Sequence, residues 1–150
     1  MNLLGVFSNP ILIAGFSAWS LAQIIKVPLF YLTDRELDWT LLLRAGGMPS
    51  SHSALVAGTA HAIGLFIGFD TPLFALAVAV AIIVIYDATG IRRQAGKHAE
   101  IINAMVRDLT SGHPLREEQL REVLGHTPLE ALGGTLLGLL IAQLLWFVWL

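Results

Sequence analysis

Four stretches of this 150-residue chain are nearly continuous apolar runs, and each opens on a recognisable helix-start signal. The first covers about residues 10–27. Ser8 or Asn9 can cap it, Pro10 suits a first helical turn, and Pro28 marks its expected end. The second follows Pro49 and covers about 51–69. The third opens at Thr71-Pro72 and covers about 72–89, with Gly90 as a stop, and the fourth opens at Thr127-Pro128 and covers about 128–150. At roughly 17–23 residues and about 1.5 Å per residue, each can cross a hydrocarbon core of about 30 Å. A buried helix in a water-soluble protein looks similar, but four of them in so short a chain leave nothing to bury them. The pattern predicts an all-α polytopic membrane protein, a four-helix transmembrane bundle forming a single domain over residues 1–150.

Composition strengthens that reading. Hydrophobic residues make up 55% of the chain and charged residues only 13%, with a mean hydropathy of +0.70. A soluble domain carries about a quarter charged residues, so water could not cover this surface unaided. There is no cysteine, which excludes disulfides, thiolate catalysis and zinc–cysteine sites. The first run lacks a basic flank and cleavage site, so it reads as a permanent span.

Charge placement then gives an orientation. All nine Lys and Arg residues (Lys26, Arg35, Arg44, Arg92, Arg93, Lys97, Arg107, Arg116 and Arg121) lie at the end of the first span or in the connections of about 28–50 and 90–127. The opposite side has Asp70 as its acid and no Lys or Arg. The positive-inside rule places the busy side in the cytoplasm and both termini outside, in a bacterial inner membrane or an equivalent organelle membrane. Within the longer connection, Ala95, Ala99, Ile102, Met105 (or Val106) and Leu109 recur at helical spacing opposite Arg93, Lys97, Glu100 and Arg107. That pattern predicts an amphipathic helix at the interface or against the bundle. A second short helix is expected after Pro114, with Leu120, Val123 and Leu124 inward and Gly125 as its stop.

An antiparallel bundle brings four separate segments to one mouth. These are Lys26, the Gly46-to-Ala54 segment, Asp87 with Arg92 and Arg93, and the Gly125-to-Glu130 segment. Free N–H groups at the start of the second helix suit an anion, and Ser50, Ser51 and Ser53 add hydroxyls. Lys26, Arg92 and Arg93 offer positive charge. His52 and His126 can divide the tasks of nucleophile and general acid.

The segments Pro49-Ser50-Ser51-His52-Ser53-Ala54, Tyr86 to Lys97, and Gly125-His126-Thr127-Pro128-Leu129-Glu130 with Gly133-Gly134 resemble, in this order, the divergent branch of the type 2 phosphatidic acid phosphatase family. The similarity runs from Trp19 through Gly138. It implies an integral-membrane lipid or isoprenoid phosphatase with His52 as general acid, Ser51 or its backbone on the phosphate, and His126 as the nucleophile of a phosphohistidine. Lys26 and Arg35 or Arg44 would supply the first phosphate-binding motif, and Glu130 would orient His126. Glu130 stands where the family has Asp. No Arg-Pro pair follows Lys26, Arg121 lies one residue nearer the histidine than the motif asks, and four spans stand where six are usual. Arg92 and Arg93 are candidates to take over the arginine's task.

Each residue also has a bland explanation. Thr127 to Glu130 reads as a capping box, Ser50 or Ser51 as a cap, and the basic residues as headgroup anchors. Asp87, in the last turn of the third span, calls for an ion-pair partner or, less favoured, a metal shared with Glu130. No resident cofactor is otherwise expected, and no nucleic acid. Membrane lipids and a phosphorylated lipid are the expected partners, with a homodimer plausible for so thin a bundle. A non-catalytic lipid-phosphate binder or scaffold, or a small lipid-phosphate carrier, is the alternative. His61 lies nine residues from His52, about 900° of helix rotation, which turns it to the opposite face as a neutral packing histidine. Gly134 and Gly138 read as a close helix contact.

Overall fold

The structure, a computed structural model, describes residues 3–43, 46–110 and 125–149. Five helices follow one another: α1 (Pro10–Asp34), α2 (Ser51–Phe66), α3 (Pro72–Thr89), α4 (Ile91–Thr110) and α5 (Pro128–Trp149). The helices α1, α2, α3 and α5 form the bundle. Among the described residues α2 is central, packing on α1, α3 and α5, while α4 touches only α3.

The helix starts follow local chemistry. Asn9 caps α1 through hydrogen bonds donated to its side chain by the Ile11 and Leu12 N–H groups. Thr71 caps α3, accepting from the Phe74 N–H at 3.3 Å and donating to the Gly68 carbonyl at 2.8 Å. These bonds satisfy donors that a first helical turn otherwise leaves unmet.

Helix ends depart from the expectation in two places. Pro28 does not stop α1, which continues to Asp34 and ends on Arg35 in the left-handed region, φ 60°. An internal proline removes one hydrogen bond, which a membrane helix tolerates when apolar sequence continues beyond it, as Leu29, Phe30 and Leu32 do here. The second helix stops at Phe66 instead of about 69, because Gly68 at φ 133° turns the chain into α3. At 16 residues α2 is about 24 Å long, shorter than the hydrocarbon core. Among the described residues three segments are long and apolar enough to cross alone: Pro10–Asp34, Pro72–Arg107 and Pro128–Trp149. The short α2 packs against all three of these longer neighbours.

Small residues set how closely the helices approach. Three stripes at four-residue spacing meet: Ala14, Ala18 and Ala22 on α1; Ala54, Gly58 and Ala62 on α2; Gly134, Gly138 and Ala142 on α5. All nine are buried, and the six alanines form the two apolar clusters of the core. A Cβ on Gly134 would strike the Ser50 carbonyl, and one on Gly138 the Ala54 carbonyl. Lipid tails are as apolar as leucine, so close packing of this kind is what holds such helices together.

One polar bond crosses the interior between α2 and α5: His61 Nε2 lies 3.1 Å from Gln143 Oε1. The His61 ring also rests 5.8 Å from the Phe69 ring, so this histidine packs rather than joining the mouth. His61→Leu is expected to destabilise the protein by about 1 kcal/mol, since it strands Gln143 in hydrocarbon. Thermal unfolding in detergent measures this, and an unchanged midpoint would mean that the bond contributes nothing.

The α3–α4 connection is nearly continuous, with Gly90 as the break. Gly90 N–H donates to the Tyr86 carbonyl at 2.8 Å, and the Gly90 carbonyl accepts from Gln94 at 3.0 Å. The amphipathic helix forms, and of its expected apolar stripe Ala99 is the member turned inward. Gly96, Ala99 and Asn103 are buried, whereas Ala95, Ile102, Met105 and Leu109 are exposed. Small residues mark the closely packed line, and the bulky apolar ones lie beside it, facing outward. The helix expected after Pro114 falls outside the described residues.

Candidate active site

The mouth is built on backbone bonds between helices. The Ser50 N–H, just before α2, donates to the Glu130 carbonyl of α5 at 2.9 Å. The His126 N–H, just before α5, donates to the Ala88 carbonyl of α3 at 2.9 Å. These two bonds fix the starts of α2 and α5 against each other and against the end of α3. His52 and His126 consequently come together, their ring centroids 5.7 Å apart and nearly edge-on.

Glu130 serves two partners. Its Oε2 lies 2.9 Å from His126 Nδ1 and accepts the Thr127 N–H at 3.4 Å, while its own N–H donates to Thr127 Oγ1 at 3.2 Å. The capping box and the histidine contact therefore coexist, and neither excludes the other. A carboxylate can only accept, so the proton of a neutral His126 ring sits on Nδ1. The lone pair is then on Nε2, which is buried and has no hydrogen-bond partner among the described residues.

Lys26 lies opposite. It is 2% exposed, and its ammonium donates to Gln23 Oε1 and, at a longer 3.5 Å, to Ser51 Oγ. Glu130 attracts the same charge from across the mouth. A buried cation needs compensation, and an anion arriving beside Ser51 would add to it. Gln23, which sequence reasoning passed over, is itself held by a bond from its Nε2 to the Leu42 carbonyl at 2.9 Å. Its signal was available: a polar side chain one helical turn before Lys26, in a largely apolar span.

The serines divide their tasks. Ser50 is fully buried and caps α2, its Oγ accepting from the Ser53 N–H at 3.3 Å and from the Ser53 hydroxyl at 3.1 Å. Ser51 is the hydroxyl beside Lys26. Gly46 and Gly47 take φ of 100° and 80°, values that favour glycine, and bring the loop in over the lysine stem.

The remaining candidates are placed less closely. Asp87 is half-buried on α3, one residue before the carbonyl that holds His126. Arg92 and Arg93 lie in the first turn of α4, and their side chains are not among those described. Arg44 and Arg121 fall outside the described residues, and Arg35 is an exposed helix cap. Among the described residues no three of His, Asp and Glu gather as a metal cage.

Comparison with known proteins agrees with this architecture. The chain is 38% identical to the "Uncharacterized membrane protein YuiD" of Bacillus subtilis (strain 168), in an alignment covering 93% of this chain and 96% of that one. No solved structure matches it. The model of the divergent PAP2 family matches residues 7–141, and the chain belongs to that family.

Proposed function

We propose that this integral-membrane protein hydrolyses a lipid or isoprenoid phosphate monoester through a histidine nucleophile at the cytoplasmic membrane face. The observation that carries this reading is the state of His126. Glu130 holds its Nδ1, and among the described residues the lone pair on Nε2 has no hydrogen-bond partner in a buried site beside a second histidine. A histidine so held is oriented for attack.

In the first step His126 Nε2 attacks phosphorus and the bond to the alcohol oxygen breaks. His52, protonated, gives its proton to the departing oxygen, and Glu130 stabilises the positive charge on the phosphorylated ring. In the second step His52, now neutral, takes a proton from water, which attacks phosphorus. The nitrogen–phosphorus bond breaks, and phosphate leaves with His126 restored. Lys26 and Ser51, together with the first-turn N–H groups of α2, would hold the phosphoryl oxygens through both steps. Arg92 and Arg93 are the further candidates for that charge.

Purified protein in detergent or vesicles should release phosphate from a panel of lipid monophosphates. Turnover should follow a bell-shaped pH profile, because His126 must be neutral while His52 must be protonated. Activity should survive chelator; its loss there would point instead to a metal held by Asp87 and Glu130. Lipid binding with no turnover on any substrate would favour a non-catalytic lipid-phosphate binder, for which the capping box alone accounts for Glu130.

A further inference from the structure

Below the mouth, α1 and α3 do not touch each other, although both pack on α2. The gap between them is an apolar cleft of about 390 Å³. Its floor is the α2 face made by Leu55, Val56, Thr59 and Ala60, and its walls include Phe16 from α1 and Val80 from α3. His52 precedes these floor residues by three, four, seven and eight positions, the spacing that puts it on the same helix face, one turn above. The lining starts one turn below His52 and includes neither histidine. Ala60 lies about 12 Å along α2 from His52, close to the roughly 15 Å depth of one leaflet's hydrocarbon.

We infer that this cleft holds the hydrocarbon chain of the phosphorylated substrate, with its head at His52 and His126. The inference rests on the phosphatase reading for the name of its ligand, but the cleft can be tested without turnover. Three features fit a chain and not a compact ligand. The lining is apolar apart from Thr59, it takes successive turns from each of three helices, and a gap left between two spanning helices opens sideways, so a lipid could enter without leaving its leaflet. Gly15 contributes to the depth: a Cβ there would meet the Thr59 hydroxyl, so glycine lets α1 sit low beside the floor.

The test uses the full-length protein in vesicles and a long-chain prenyl or acyl monophosphate carrying a diazirine partway along the chain. After irradiation, labelled peptides are mapped by mass spectrometry, in the wild type and in His126→Ala. Label should concentrate on the α2 floor and the two flanking walls in both proteins. Ala77→Phe, which fills the cleft from the half-buried face of peripheral α3, should cut labelling about tenfold, comparable to two methylenes losing apolar contact. If the wild type turns over, the same variant should shift the ratio of short-chain to long-chain turnover by about tenfold toward the short chain. Val80→Trp, from the same wall, is the second variant. Label spread evenly over the lipid-facing sides of α3 and α5, or undiminished in both variants, would overturn the inference. Localised label with no turnover would leave the cleft standing while removing the phosphatase.

Discussion

His126→Ala should abolish phosphate release, with a loss of about 10⁴-fold or more, while the protein still folds and still binds lipid phosphate. The nucleophile is the one group whose removal leaves no bond-forming partner, and losses of this order or larger follow when such a residue is taken away. Folding should survive, because alanine keeps the backbone bond to the Ala88 carbonyl and Glu130 retains the capping bond from Thr127. Glu130→Gln is the informative companion. An amide can still accept from Nδ1, yet it can also donate, which permits the wrong tautomer and removes the charge opposite a phosphorylated ring. A loss of roughly 10²–10⁴-fold with substrate binding little altered is expected. Residual turnover in His126→Ala equal to that of the wild type would mean that another group forms the bond.

Gly134→Ala should lower both stability and turnover, although alanine is the better helix former by about 1 kcal/mol. The added methyl would strike the Ser50 carbonyl, which is backbone and cannot rotate away. Overpacking of this kind costs about 1–3 kcal/mol, so the clash outweighs the propensity gain. Relief requires α2 and α5 to part, stretching the 2.9 Å bond between the Ser50 N–H and the Glu130 carbonyl. A shift of about 1 Å at the reacting groups can cost about a hundredfold in rate. Unfolding in detergent should fall by on the order of 5 °C. An unchanged midpoint together with unchanged turnover would show that the contact is looser than drawn.

What the sequence made readable was local or cumulative. The starts of α1, α3 and α5 were visible because Asn9-Pro10, Thr71-Pro72 and Thr127-Pro128 carry their cap and first turn within a few residues. The crowding of Lys and Arg onto one side identified a mouth, and His52 and His126 meet there. Helix ends were harder, because Pro28 looks like a stop until the apolar residues beyond it are counted. The alanine stripes on α1 and α2 stayed hidden, since alanine is common in any span and only the neighbouring helix shows which ones are contacts. Gln23 was missed because its importance comes from Lys26, one turn away in the helix and nearly sealed from solvent.

The hydrogen bond from the Ser50 N–H to the Glu130 carbonyl also bears on biogenesis. Lys26 and His52 emerge from the ribosome early, while His126 and Glu130 arrive only with the final helix. A chain caught midway through membrane insertion therefore holds His52 without His126 and Ser50 without Glu130. On the proposed mechanism such a chain lacks its nucleophile, and the seating of the last span completes the site.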